Sequence, residues 1–311
     1  MPSFTPSYID SYRSGRLSRK IEMAHQLLRK CEVCPRKCNV DRINNEVGFC
    51  RTGKHALVCS YHAHFGEEAP LVGKKGSGTL FFSYCNLLCC FCQNFEISHQ
   101  GEGKEVFPEQ IAGMMIMLQK QGCHNINFVT PSHVVPQILA ALPIAIEQGL
   151  HIPLVYNTGA YDRVAVLELL DGVFDMYMPD FKFVDPELSK AACQAENYAL
   201  VAKQALKEMF RQVGDLVLDD SGTAMKGLLV RHLVLPDNLA GTKQVMEFIV
   251  NEISPDTYVN IMPQYYPCGL ADKIPGLNRR ITEKEFRSAM EDARKAGIRR
   301  FDQRRRVFEV W

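Results

Sequence analysis

The chain has 311 residues, 46% hydrophobic and 23% charged, with 36 Lys and Arg against 35 Asp and Glu for a formal net charge of +1. That length can bury one main core with an appendage, and the composition is that of an ordinary folded enzyme rather than a disordered or fibrous chain. The charge balance excludes bulk attraction to nucleic acid or an anionic membrane, so the 12 cysteines become the place to look for chemistry.

The first stretch, "MPSFTPSYIDSYRSGRLSRK", has no apolar core of the signal-peptide kind, and no later run is long enough to span a bilayer. The expectation is a cytoplasmic protein with no membrane partner. In a reducing compartment, clustered cysteines read as metal or redox ligands rather than disulfides. A helix-like "RLSRKIEMAHQLLRK" comes first, and then Cys31, Cys34, Cys38 and Cys50 form C-x2-C-x3-C-x11-C, with Pro35 tightening the first turn and Gly48 permitting the last. Four thiolates can close a tetrahedral zinc site or hold an iron-sulfur cluster, and the spacing leaves both open. Cys59 is a substitute ligand, whereas Cys123, Cys193 and Cys268 look isolated, with a pocket role open to Cys268. In "YHAHFGEEAP", His62, His64, Glu67 and Glu68 have the composition of a ligand set, although ordinary hydrogen bonding is the expected role. The glycines of "GKKGSGTL" precede a strand instead of opening a helix, which argues against a phosphate cradle.

From about Thr79 onward, β-rich runs alternate with amphipathic helical runs. Strands are expected at 79–84, 125–130, 152–157, 173–178, 228–234 and 257–262, each rich in β-branched or aromatic residues. Between them lie helices such as "PEQIAGMMIMLQKQG", which carries Ile111, Met114, Met115 and Leu118 on one face. Near the end, Thr282 and Glu285 read as a capping box, Ile281 and Phe286 as its staple, and Gly297 as the stop. Six β-to-α steps imply parallel strands with right-handed crossovers, in either an open doubly wound sheet or a barrel. Residues 1–70 form a cysteine-rich metal-binding extension, and residues 71–311 the main domain with a C-terminal helix. The basic tail "RRFDQRRRVFEVW" reads as a solvated surface strand.

Cys85, Cys89 and Cys92 form C-x3-C-x2-C directly after the first of these strands, with Phe91 before the last cysteine and Cys90 as an extra thiol. Three thiolates are informative because a cubane 4Fe-4S cluster normally uses four, so three leave one iron open. Zinc with a borrowed fourth ligand and cysteines acting as small core residues are the alternatives.

This C-x3-C-x-F-C loop resembles the hallmark of the radical S-adenosylmethionine (SAM) superfamily, which implies a partial (β/α)6 TIM-type barrel over about residues 76–265. A closer likeness, carried by "CEVCPRKCNVDRINNEVGFCRTG", "GSGTLFFSYCNLLCCFCQN", "NINFVTPSH" and "MPDFKF", is to the PflX-type iron-sulfur proteins, homologues of the pyruvate formate-lyase activating enzyme. The resemblance implies that Cys85, Cys89 and Cys92 hold the cluster while Cys90 points away. The cluster would bind SAM and cleave it reductively to a 5′-deoxyadenosyl radical that takes hydrogen from a substrate. It further implies a reductant such as flavodoxin or ferredoxin.

Asp180 and Lys182, at the end of the fourth expected strand, can both face inward. The resemblance makes Lys182 a contact of the SAM carboxylate. The family's GGE-type element is replaced here by "VTPSH", so Thr130, Pro131 and Ser132 would supply the contact to the SAM amino group. His133 is either a proton donor or satisfied by backbone, and Asn157, Thr158, Arg231, Gln264 and Tyr265 are candidate pocket lining. Glycyl-radical activation of a partner enzyme is the sharpest substrate hypothesis, but the D-G-P-G-x-R pattern usual in those activators is absent before Cys85. A small molecule or peptide is equally open. The rival class is a non-catalytic metal protein, either an electron carrier or a zinc-stabilised interaction module. RNA modification is disfavoured by the neutral charge.

Overall fold

Each of the six expected β-rich runs forms a strand in the computed structural model, which describes residues 4–303. In chain order the elements are α1 (Ser7–Arg13), α2 (Arg16–Gln26), β1 (Ala56–His64), α3 (Ala69–Val72), β2 (Ser77–Phe82), β3 (Lys104–Val106), α4 (Pro108–Lys120), β4 (Ile126–Val129) and α5 (Val135–Glu147). There follow β5 (Leu154–Thr158), α6 (Val164–Leu169), β6 (Met176–Pro179), α7 (Pro186–Cys193), α8 (Tyr198–Val213), β7 (Val217–Leu218), β8 (Ala224–Leu233), α9 (Thr242–Glu252), β9 (Tyr258–Met262), α10 (Glu283–Ala296) and β10 (Arg300–Phe301).

The fold is α/β, with one mostly parallel sheet in the order β10-β9-β8-β6-β5-β4-β2-β1-β3, and β7 paired to β8 off this path. Strands β2, β4, β5, β6, β8 and β9 run parallel, as crossover helices between them require. The hydrogen-bonded path ends at β10 and β3, so the sheet is open. The antiparallel β1 was not anticipated: its "YHAH" run was read for ligands, yet it pairs along β2 and carries β3 on its other edge. Thus a strand from the first 70 residues belongs to the same sheet. Among the described residues, no helix is long and apolar enough to cross a membrane.

Alternation along the strands sorts side chains onto two faces. Leu80, Phe82, Ile126, Phe128, Tyr156, Tyr177 and Val230 join the large core together with Met115 and Leu118 of α4 and Leu139 and Leu142 of α5. Capping follows the sequence: the Thr282 hydroxyl accepts from the Glu285 N–H at 3.2 Å, the Glu285 carboxylate accepts from the Thr282 N–H at 2.7 Å, and Gly297 ends α10 at φ 108. Of the basic tail, Arg300 and Phe301 pair in parallel with β9. Its residues from 304 onward lie outside the described ones.

The opposite face holds a smaller apolar cluster: Val155, Met176, Met178, Leu216, Ala224, Leu229 and Tyr258, joined by Leu71. Leu71 comes from α3, whose position is fixed where the Asn125 side chain, just before β4, donates to the Leu71 carbonyl at 2.9 Å. The β1-to-β2 connection therefore closes the inner face at the N-terminal ends of the strands, and the polar side chains of that face lie toward the other end. Leu71→Ala is expected to cost about 2–5 kcal/mol, because it removes buried methyl groups from a small cluster with little freedom to collapse. Denaturant unfolding checks this, and a loss within experimental error would show that α3 is not a structural closure.

Candidate metal centre and charged interior

Beyond β2 the chain turns sharply, with Tyr84 and Leu88 both at positive φ, 65° and 51°. These turns make a loop of the segment that carries Cys85, Cys89 and Cys92, and it sits at the C-terminal end of the first parallel strand. The Leu87 N–H donates to Cys85 Sγ at 3.3 Å, and the Cys92 N–H donates to the Cys89 carbonyl at 3.0 Å. Burial, and then the charge of Cys89 with a smaller part from Cys92, push the Cys85 thiol up to about 12. Burial also raises Cys92. Cys89 moves the other way: a hydrogen bond from Cys193 outweighs its burial, and the Lys182 ammonium lowers it further. These three are the thiols that could hold a cluster.

Behind the loop runs a buried charge network. Arg231 of β8 donates from Nε to Asp180 Oδ1 at 2.7 Å and from Nη2 to Asn157 Oδ1 at 2.8 Å, and its Nη1 lies 3.5 Å from Glu67 Oε2. Lys182 Nζ donates to the other Asp180 oxygen at 2.8 Å. Asn260 of β9 donates to Glu68 Oε1 at 2.7 Å, while Glu68 Oε2 is buried without a partner. The sequence brought Asp180, Lys182, Asn157 and Arg231 forward one at a time, and the fold joins them. Glu67 and Glu68, for which ordinary hydrogen bonding was the expected role despite the ligand-like composition of their run, face Arg231 and Asn260. Burial alone would raise the Asp180 carboxyl, but Arg231 and then Lys182 outweigh it and hold it below the ordinary carboxylate range.

The second cysteine set also assembles. Cys31, Cys34 and Cys50 are buried and Cys38 is half-buried. Burial and then Cys50, with smaller parts from Cys31 and Cys38, push the Cys34 thiol up to about 12. Gly48 is required here, since a Cβ at that position would stand 2.7 Å from Cys38 Sγ. Sequence reasoning missed two arginines. Arg42, 1% exposed, lies 3.9 Å from Cys31 Sγ and donates to the carbonyls of Gly53 and His133. Arg36 donates to the carbonyls of Asn86, Cys193 and Gln194, with its guanidinium 3.8 Å from the Phe49 ring centre, and so ties this set to the first cysteine loop. A proline-bounded arginine between cysteines was the available signal. Among the described residues, no group of three or more His, Cys, Asp or Glu side chains is gathered around one metal-ion position.

The remaining candidates divide. Thr130 sits at φ 61 and its N–H donates to the Asn157 carbonyl at 2.9 Å. The Ser132 hydroxyl is 2.9 Å from that of Thr158, which donates in turn to Asp162 at 2.6 Å. His133 Nε2 lies 3.0 Å from the Ser83 carbonyl, but its buried Nδ1 has no hydrogen-bond partner among the described residues, so backbone satisfies only half of the ring; burial followed by Arg42 lowers its pKa to about 4. The Tyr265 hydroxyl donates to the Leu277 carbonyl, and the Gln264 carbonyl accepts from Gln93. Cys193 is not isolated, as the sequence reading had it: the turn after α7 brings its Sγ to 3.2 Å from Cys89 Sγ. Cys268 Sγ donates to the Phe91 carbonyl at 3.2 Å.

The charge network makes a pH-dependent prediction. A carboxylate with a lowered folded-state pKa contributes stability above its unfolded pKa and loses it as pH falls through the folded value. The stability difference between wild type and Asp180→Asn is therefore expected to be full near neutrality, about 3 kcal/mol because two buried cations lose their partner, and to shrink below about pH 4. Urea unfolding over that range measures it, and a difference that stays flat with pH would contradict the network's assigned charges.

No family model matches the chain. It is 32% identical over 298 residues to the uncharacterized protein MJ0674 of Methanocaldococcus jannaschii, spanning 93% of this chain and 82% of that one. On that likeness the chain belongs to the family of MJ0674.

Proposed function

We propose that this protein is a radical SAM enzyme similar to the pyruvate formate-lyase activating enzyme, its six parallel strands forming a partial (β/α)6 barrel and Cys85, Cys89 and Cys92 holding a 4Fe-4S cluster. The observation that carries this reading is the C-x3-C-x-F-C loop at the C-terminal end of the first parallel strand, where α/β barrels keep their chemistry. The donor set fits the group. Three mutually interacting thiols are present, Cys89 buried and Cys85 and Cys92 half-buried, with Lys182 close enough to Cys89 to offset thiolate charge. A tetrahedral zinc would draw its thiolates to within about 3.8 Å of one another, given Zn–S bonds near 2.3 Å. Three thiolates supply three of the four ligands that a tetrahedral zinc needs, whereas a cubane held by three would keep one iron open.

Cys85, Cys89 and Cys92 would hold the cluster, whose chemistry when bound would be one-electron reductive cleavage of SAM. The chain's own residues orient and insulate. Lys182, with one N–H committed to Asp180, keeps further donors for the carboxylate of a bound SAM. Against the cost of burial, Asp180 keeps that lysine charged, and Arg231 holds the carboxylate in place. Phe91, within the cysteine loop, packs edge-to-face on Tyr265 with ring centres 6.0 Å apart, and both are buried. The substrate remains open between a glycine of a partner enzyme, a peptide and a small molecule, and the electron donor would be a flavodoxin or ferredoxin. The reading places the protein in a reducing, cytoplasmic setting, where clustered thiols serve as ligands.

A second reading, a non-catalytic iron-sulfur electron carrier, is favoured by one observation: Cys31, Cys34, Cys38 and Cys50 form another thiol set, joined to the first through Arg36. Anaerobic reconstitution with assay of 5′-deoxyadenosine separates the two. Wild type is expected to form it when reduced, and Cys85→Ala to lose all product and about four irons per chain. Cys34→Ala is expected to lose about four irons while the Cys85 site keeps its own. Unchanged iron in both variants would refute both metal assignments, and an intact cluster that never cleaves SAM would favour the carrier.

A further inference from the structure

Cys193 lies in the last turn of α7, 1% exposed, far in sequence from either cysteine set. Its Sγ nevertheless lies 3.2 Å from Cys89 Sγ, with both residues buried, in reach of an S–H···S hydrogen bond. The approach is built from several directions. The Cys90 N–H donates to the Ala192 carbonyl at 2.8 Å, fastening the cysteine loop to the end of α7. Arg36 donates to the Cys193 carbonyl at 2.7 Å and also to that of Gln194, while holding the Asn86 carbonyl of the loop at 2.9 Å. Gln194 turns into the left-handed region at φ 52, which ends the helix at this point. One guanidinium thus locks both the strand of chain that carries Cys89 and the helix end that carries Cys193.

We propose that Cys193 is a positioning residue for the cluster, donating its S–H to the Cys89 thiolate and thereby raising the cluster's reduction potential. This rests on the reading of Cys89 as a cluster ligand. Two sulfurs this close cannot each take a different iron of one cubane, so Cys193 is the donor outside the ligand set. A hydrogen bond to a ligating sulfur withdraws charge from it, and the reduced cluster, one electron more negative, gains more from that than the oxidised one. The electron needed for SAM cleavage would then be easier to load from a flavodoxin or ferredoxin.

The test is an EPR-monitored redox titration of the full-length reconstituted protein, with iron counted in the same samples. Cys193→Ala is expected to keep its iron but, at the wild-type midpoint potential, to show a reduced-to-oxidised ratio about tenfold lower, a downward shift of about 59 mV. Cys193→Ser, which keeps a donor, is expected to recover most of it. An unchanged midpoint in Cys193→Ala overturns the proposal, as does an equal fall in both variants, which would mark a packing effect. Wild-type protein without iron at the Cys85 set would overturn the functional reading and this inference together, whereas wild-type SAM cleavage beside an unshifted Cys193→Ala overturns this inference alone. A measurement free of variants guards against poor folding: in iron-free wild type, diamide should take two electrons and two protons from the thiols to join Cys89 to Cys193, and iron loading should prevent it. Failure to form that disulfide would overturn the contact itself.

Discussion

The Asp180 carboxylate stands between two cations, Arg231 on one oxygen and Lys182 on the other, and the interior of this protein is organised around that pairing. Both cations are held at a depth where removing a charge from water costs several kcal/mol unless it is paired and hydrogen-bonded, and Asp180 pairs with each. The network reaches in both directions. Through Arg231 it meets Asn157 and Glu67, and through Lys182 it touches the electrostatics of Cys89. The carboxylate is thus the link between the closed, apolar end of the inner face and the thiol-bearing loop at the other.

Sheet geometry makes the linkage possible. Helices cover the outer face, so the strand residues facing them are mostly apolar, with Thr158 and His232 as buried polar exceptions. The inner face has no helix layer and instead changes character along its length, from Leu71 and its apolar neighbours to asparagines, arginine and aspartate. Asn127, fully buried with both amide atoms lacking a protein partner, belongs to this polar region. In the proposed function, this gradient separates a structural floor from a reactive mouth.

Much of this was legible in the sequence. The six parallel strands announced themselves by β-branched and aromatic runs before turn residues, and the Thr282 box by its spacing, because both signals are local. The strand β1 was not read, since its histidine-bearing run offers weak alternation and has the composition of a ligand set. Asp180 and Lys182 were found because they sit two residues apart, but their union with Arg231 and Glu67 depends on the sheet bringing distant segments together. Cys193 was misjudged for the same reason: nothing near it in sequence marks a site, and only the turn after α7, clamped by Arg36, carries it to Cys89.

The central claim is that three thiolates leave one iron of a cluster open to SAM, and the most direct measurement is the EPR spectrum of the reduced protein with and without SAM. The account predicts a reduced-cluster signal in the Cys34→Ala variant, where the Cys85 set alone remains, whose g-values shift when SAM is added. A cluster signal at the Cys85 set that SAM leaves unchanged, or no cluster there at all, would contradict it.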